Sequence, residues 1–410
     1  MATMTAPGRQ SALIRALTCM MFFMFAMTTD AVGSIIPSLI EEFDLSLSAA
    51  SAFHYVPMVA IALGGLGLGF LADRIGRKHT IILGLVLYGI GSLLFIFGNT
   101  FGFFIVLLGL SGVGVSVFKV GALGLIGDIT RDTREHTSMM NTVEGFFAIG
   151  AIVGPALVAT LITAGISWKF LYVAAAVICI LLTLTALFVN YPAMQHTSAE
   201  PASLKQTMTL MKNPYALGFS TLVMLYVAVE VAIYVWMPTW LADYTGPTPW
   251  LATYALTIFF VLRAAGRFLG AWLLNHLAWD SVLAVLAGGI FVCFAGSLAA
   301  GPALAVWLLP LSGLFMSVMY PTLNSKGISC FPKDEHGAIA GVILFFTAFA
   351  AAVGPLAMAA VSDAFGNIRY GFMLATVFAL LLCLGLAWNR AGKPAAARLA
   401  QFEAPGVQSV

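Results

Sequence analysis

Gly69-Phe70-Leu71-Ala72-Asp73-Arg74-Ile75-Gly76-Arg77-Lys78 crowds four charged side chains into a short turn between two long apolar runs. The composition around it explains why that matters. Of the 410 residues, 61% are hydrophobic and only 9% are charged, with a mean hydropathy of +0.99. Soluble domains run at about 45–50% apolar and about 25% charged residues. A chain this apolar keeps most of its surface in lipid, and the turn reads as a polar link between two membrane spans.

A spanning helix needs about 20 mostly apolar residues. Working outward from the turn, twelve such runs are found, at 16–40, 50–72, 79–97, 102–127, 139–164, 169–191, 215–241, 249–275, 279–300, 302–329, 338–363 and 367–389. Lys and Arg set the orientation, because they collect in cytoplasmic loops. With the N-terminus in the cytoplasm, thirteen of them fall on that side, and only Lys169 and Arg369 lie outside. Both termini are therefore expected in the cytoplasm. The polar stretch 192–214 holds Pro192, Pro201 and Pro214 and reads as a cytoplasmic linker between two six-helix halves, 1–191 and 215–389, with a tail over 390–410. The run after the polar first 15 residues is too long for the core of a cleaved leader, so it reads as the first span.

The two halves echo each other. Ile36-Pro37-Ser38-Leu39-Ile40-Glu41-Glu42 closes the first run, and Met237-Pro238-Thr239-Trp240-Leu241-Ala242-Asp243 closes the seventh. Phe146-Phe147 and Gly154-Pro155 in the fifth match Phe345-Phe346 and Gly354-Pro355 in the eleventh. The offsets, 201 and 200 residues, agree. Internal duplication is the mark of a transporter whose substrate site lies near the bilayer midplane between the repeats.

Two six-helix halves with a G-x-L-A-D-R-x-G-R-K turn after the second span resemble the major facilitator superfamily. That resemblance implies an all-α membrane fold of twelve helices in two pseudo-symmetric halves. It also implies a conformational lock built from Gly69, Asp73, Arg74, Gly76, Arg77 and Lys78. In that family the aspartate docks near the start of helix eleven, and the Arg reaches an acid at the foot of helix four, here Asp128. The simpler reading is that these charges only fix topology. Arg267, in Gly266-Arg267-Phe268-Leu269-Gly270, looks like the second-half version of the turn.

A narrower resemblance is to the fucose permease branch, whose members are proton-coupled importers of sugars and similar polar solutes. It rests on Met316-Ser317-Val318-Met319-Tyr320-Pro321-Thr322 with Ser325-Lys326-Gly327-Ile328, on Val361-Ser362-Asp363-Ala364-Phe365-Gly366-Asn367, and on Tyr226 through Glu230 with Trp236-Met237-Pro238-Thr239. One position departs from it: Lys119 stands where that branch usually carries a glutamate midway along helix four.

Charged groups at membrane depth cost about 2.5–3.5 kcal/mol each on insertion scales, so they mark function and face the protein interior. Asp30, Lys119, Glu144, Glu230, Arg263 and Lys326 are placed there. Asp30, two helical turns in from the outer end of its run, is expected to exchange the proton with Lys119 as partner. The alternative is a permanent ion pair fixing helix one to helix four. Glu230 is a second candidate for protonation, because repeat symmetry puts it roughly where Asp30 sits. Glu144 is read as a gate, as a partner of Lys119 or of a helix-eight Arg, or as a direct substrate contact. Lys119, Arg263 and Lys326 together would make a cationic pocket for a carboxylate or phosphate, unless they pair with Glu144 and Glu230. Phe118, Asn141, Tyr226, Tyr234, Trp236, Tyr320 and Asn324 complete the candidates for contact with a polar solute. His54 near the start of the second run is placed at the outer mouth. Gly150 to Pro155 resembles part of a drug-antiporter pattern and is read as close helix packing.

The five cysteines are scattered without a CxxC, which excludes a disulfide framework or zinc site. Neither a phosphate loop nor a nucleophile triad is present, so an enzyme is not expected. A net charge of +2 gives no reason to invoke nucleic acid. The expected protein is a monomeric carrier in a bacterial inner membrane with no cofactor, driven by the proton gradient. Its leading function is proton-coupled symport of a sugar or sugar derivative. The alternatives are an organic-anion carrier or exporter that binds through its intramembrane Lys and Arg, and a non-transporting receptor on the same scaffold.

Overall fold

The computed structural model describes residues 7–68, 71–130, 133–191, 210–332 and 335–401. All of the regular structure among them is helical, and twelve helices are long and apolar enough to cross a membrane. They are α1 (Pro7–Thr29 and Val32–Phe43), α2 (Ala52–Leu68), α3 (Arg77–Leu94), α4 (Phe101–Ile129), α5 (Thr133–Thr163) and α6 (Phe170–Phe188), then α7 (Pro214–Leu241), α8 (Ala255–His276), α9 (Trp279–Ala300), α10 (Pro302–Met316 and Met319–Ser329), α11 (His336–Phe365) and α12 (Ile368–Gly392). Most of the proposed linker, 192–209, lies outside the described residues. The chain forms two compact units, Met1–Ser198 and Ala199–Val410.

Three expected helix starts move. α1 begins at Pro7, nine residues before its apolar run. α5 begins at Thr133, six residues before the apolar run, because Arg134 and Glu135 extend the helix beyond the part that is apolar enough for lipid. The eighth run is interrupted. Pro249–Thr253 forms a short helix of its own, and Tyr254, at φ −103° and ψ 14°, separates it from α8.

Two spanning helices are broken, each for a local reason. In α1 the hydroxyls of Thr28 and Thr29 both bond back to the Phe25 carbonyl at 2.9 Å. Such back-bonding competes with the helix ladder and bends it. The break falls on Asp30 and Ala31. In α10 the ring of Pro321 supplies no N–H to the Ser317 carbonyl four residues earlier. The break falls on Ser317 and Val318. Interrupted helices of this kind are where transporters build their sites.

Each unit packs by the same plan. α1 lies on α5, α2 on α4 and α3 on α6, just as α7 lies on α11, α8 on α10 and α9 on α12. The repeat extends to single contacts. A Cβ at Gly64 would meet the Ser116 hydroxyl at 2.7 Å, and one at Gly266 would meet that of Ser317 at 2.8 Å. Lys169 Nζ donates to the Gly98 carbonyl, and Arg369 Nη2 donates to that of Leu298, both at 2.8 Å. Every residue in these pairs is matched at an offset of 200 to 202. The two cations therefore do the same job in each unit, tying the start of α6 or α12 to the α3–α4 or α9–α10 turn.

Gly150 and Gly154 of α5 are packing residues, as expected. A Cβ at Gly150 would run into the Phe23 carbonyl oxygen, and one at Gly154 into that of Met27. Four-residue spacing on both helices lets α1 and α5 touch backbone to backbone. Their shared core includes Cys19, Phe22, Met139 and Val143 with Ala122 and Ile126 of α4. At the Lys169 end of the unit, an aromatic cluster joins four elements. Phe95 stacks on Tyr172 at 3.8 Å and on Phe104 at 5.4 Å, while Phe53 and Trp168 meet it edge-on.

Candidate functional site

In the first unit the break in α1 sets Asp30 off the regular helix, where the Thr29 hydroxyl lies 3.4 Å from its Oδ1. Lys119 comes from the middle of α4. Its ammonium sits 4.4 Å from the ring centre of Phe25 and 5.7 Å from that of Phe22, so aromatic faces of α1 supply part of the solvation that lipid denies it. Two carboxylates act on this ammonium, Glu144 of α5 most strongly and Asp30 next. No ion pair within 4 Å joins Lys119 to either one among the described residues. Lys119 is thus shared by two acids across three helices, which is looser than the fixed Asp30–Lys119 pair. Glu144 is exposed. The side chain of Asn141 lies outside the described residues.

In the second unit Glu230 of α7 pairs with Arg263 of α8, Oε1 to Nη2, with side-chain exposures of 9% and 22%. Tyr226, one turn before Glu230, is fully buried and gives its hydroxyl proton to the Met316 carbonyl at 3.0 Å, the last residue before the break in α10. The same phenol lies in the field of Glu230, Arg263 and Arg267. Tyr320, Asn324 and Lys326 share the second segment of α10 and are half-buried, and Tyr320 and Lys326 each engage a partner within the protein. Asn324 Oδ1 is buried without a hydrogen-bond partner. A buried acceptor of that kind costs free energy until something donates to it.

Several expectations change. Phe118 and Trp236 are buried in their units, and the Trp236 indole donates to the Pro355 carbonyl at 3.1 Å, so both are packing residues. Tyr226 holds the α10 break against Glu230 and shows no face to a solute. Tyr234 is half-buried and stacks on Phe260. Arg267 is not at a turn. It stands inside α8, nine residues before its end, and the residues 200 to 201 before it are Leu66 and Gly67, not the charged turn. Glu230 matches Thr29 at the 201-residue offset, next to Asp30 at the break of α1. His54 is not at an open mouth. It is 2% exposed, inside the unit.

The charged turn resolves into two separate clamps. Arg77 Nε bonds Asp128 Oδ2 at 3.0 Å, and both side chains are largely buried. Arg77 opens α3 and Asp128 lies in the last turn of α4, so each charge is at the unfavourable end of its helix dipole and the pair relieves both. Gly124 was not singled out in the sequence, yet a Cβ there would meet Arg77 Cζ at 2.7 Å, so it is the floor of this pair. Lys78 does something different, donating to the carbonyls of Leu187 and Val189 at 2.8 and 2.9 Å and capping the end of α6. Gly76 takes φ +86°, where a side chain is strained. Arg74 is exposed. Gly69 and the side chain of Asp73 lie outside the described residues.

Residues 18–355 match the model of the Major Facilitator Superfamily. The chain belongs to the Major Facilitator Superfamily. This places the facilitator chain among integral membrane transporters and not among enzymes. It is 24% identical over 383 residues to a glucose/galactose transporter of Brucella abortus biovar 1 (strain 9-941), covering 90% of this chain and 92% of that one. It is 25% identical over 397 residues to the L-fucose-proton symporter of Escherichia coli (strain K12), covering 86% and 87%. Among solved structures, a bacterial homologue of the human lysosomal transporter Spinster superposes with a TM-score of 0.77 at 13% identity, over 98% of this facilitator and 100% of that chain, which shows a shared fold.

Proposed function

We propose that this facilitator is a proton-coupled symporter of a small polar solute, an uncharged sugar or close derivative, working by alternating access. One observation carries the reading: in the first unit a single ammonium, Lys119, is shared by two carboxylates, Glu144 and Asp30. Protonation of either acid weakens its hold on that ammonium, which is a means of coupling a proton to movement of α1 and α5 against α4. Asp30, set at the break of α1 beside a hydroxyl, is the acid we assign to that proton. Glu144 then serves as the gate-side partner of Lys119.

The uncharged solute is supported by the second unit, where Glu230 and Arg263 neutralise each other. Asn324 Oδ1 offers an unpaired buried acceptor to a solute hydroxyl. The names of the sugar-transporting relatives point the same way. The distribution of Lys and Arg supports both termini in the cytoplasm, and the bacterial relatives support a plasma membrane. The Arg77–Asp128 pair, with Gly76 and Gly124, is read as the lock that holds one state of the transport cycle.

The test is a thermal-stability panel on the purified chain. D-glucose, D-galactose and L-fucose are set against D-glucuronate, glucose 6-phosphate and small carboxylates at two pH values. A ligand that binds the folded state raises the transition by mass action. Stabilisation by a neutral sugar is expected. A second reading, an organic-anion carrier, has its own support, since the spans of the second unit hold Arg263, Arg267, Lys326, Arg369 and Arg390 against Glu230, Asp280 and Asp363. Stabilisation by acids alone, lost in Lys119→Ala or Arg263→Ala, would replace the first reading with the second. Asp30→Asn should abolish uphill uptake and spare exchange of the identified sugar.

A further inference from the structure

Inside the first unit, away from the Lys119 cluster, α1, α2, α3, α4 and α6 surround a cavity of about 20 Å³. Its walls are mostly apolar, but six hydrogen-bonding side chains converge on it: Thr28, Thr29, His54, Tyr88, Ser111 and Tyr172. Four of them, His54, Tyr88, Ser111 and Tyr172, are at most 4% exposed. The Ser111 and Tyr172 hydroxyls are buried without a hydrogen-bond partner, while those of Thr28 and Tyr88 bond each other. Two orphaned hydroxyls on one cavity are costly if it is dry. A cavity needs about 10–15 Å³ and two to four polar partners to hold a water molecule, and this one has both.

Its position in the unit is informative. His54 is near the start of α2, at the end of the unit that carries the α1–α2 turn. At the other end of the cavity stands Thr29, whose hydroxyl reaches Asp30. Val115 lines the wall one helical turn before Lys119 on α4. The cavity therefore runs from a buried imidazole to the edge of the charged cluster, through a region that otherwise isolates that cluster.

We propose that this cavity is a water-binding site, and that its water links His54 to Asp30 as the route by which protons reach the aspartate. In the transfer, one imidazole nitrogen accepts a proton from the α1–α2 end while the other releases one to the cavity water. The water passes a proton to the Thr29 hydroxyl as that hydroxyl gives its own to Asp30 Oδ1, so water and threonine are both regenerated with no change in oxidation state. The titratable groups facing His54 are Tyr88 from α3, Tyr172 from α6 and, through Thr29, Asp30 from α1; α4 adds only the Ser111 hydroxyl. The role as proton route rests on the assignment of Asp30 above, whereas the water site does not.

The experiment is radiolytic hydroxyl labelling of the full chain in detergent, read by mass spectrometry. Buried Tyr172 and Tyr88 should be labelled at a rate close to that of exposed Tyr370, because radicals form in the adjacent water. Tyr226, just as buried but in the second unit and away from this cavity, serves as the dry control. Ser111→Val fills the space and should lower both labels about ten-fold, as expected when a site loses its water. Ser111→Ala, which fills nothing, covers the case that the valine variant does not fold, and should keep Tyr172 labelled. Tyr172 and Tyr88 as inert as Tyr226 in the native chain would overturn the proposal. In vesicles, His54→Gln should slow proton-driven uptake of the sugar identified by the stability panel about 100-fold or more relative to counterflow of the same sugar, the loss expected for a missing proton-transfer group. An unchanged ratio would overturn the route. Labelled tyrosines together with intact proton-driven uptake in Asp30→Asn would remove the assignment of Asp30 and leave the water site standing.

Discussion

The Glu230–Arg263 pair shows why one charge in a membrane protein is rarely separable from another. Removing a single partner strands the other in a region of low dielectric, whereas removing both can be nearly neutral. Arg263→Ala should therefore destabilise the chain by up to about 3 kcal/mol, the low end for a buried pair because the guanidinium is partly exposed. The double variant Glu230→Gln/Arg263→Gln should recover most of that loss, and thermal melts of the three chains in detergent check it. Cys330 allows a second prediction. It lies just past α10, where burial pushes its thiol up to about 11 against the smaller opposing pull of Arg398 and Lys326. A raised thiol pKa means less thiolate at neutral pH, and the thiolate is the nucleophile. Iodoacetamide labelling of Cys330 should thus be minimal at pH 7 and reach half its maximal rate at about pH 11, where an ordinary thiol does so at about pH 8.5. A midpoint at about pH 8.5 would show the thiol to be exposed.

Between helices, the repeats share a plan but not its tolerances. At Gly154 an added methyl collides with the backbone of α1, whereas at the equivalent Gly354 it would rest at 3.4 Å from Ala228 of α7, an ordinary contact. Gly154→Ala should then lower stability by about 1–3 kcal/mol, as overpacking does, and Gly354→Ala should be close to neutral. Melting of the two variants side by side decides this, and equal losses would refute the asymmetry. Such differences were not legible in the sequence, where Gly154-Pro155 and Gly354-Pro355 look identical. The distance between two helix axes depends on what faces the glycine, and that residue lies more than a hundred positions away in the chain.

Over the whole molecule, the two units repeat one architecture with independent contacts. Lys169 and Arg369 make the same carbonyl bond in their respective units, and Glu42 adds a carboxylate to Lys169 at 3.8 Å. Lys169→Met and Arg369→Met share no partner, so their effects on stability should add to within about 0.5 kcal/mol. A larger interaction between them in the double variant would reveal coupling that the separate contacts do not predict.

Composition, the length of the apolar runs and the 200-residue echo were enough to read a twelve-helix duplicated transporter, and most run limits matched helix ends within a few residues. Those properties are local: hydropathy depends on a residue's own side chain, and a duplicated gene keeps its spacing. The Arg77–Asp128 contact was also legible, through a motif whose residues recur together. Partners elsewhere were not. Nothing in the order of residues tells that Lys119 lies on Phe25 and serves two acids, that Lys78 caps α6, or that His54 lines a cavity with Ser111 and Tyr172. Each of these contacts joins helices far apart in the chain, and its geometry depends on how the helices cross and rotate. The reading of charges at membrane depth therefore named the participants, and packing chose the pairs, because an ammonium or carboxylate in lipid takes whichever counter-charge, ring or dipole the neighbouring helix brings within reach.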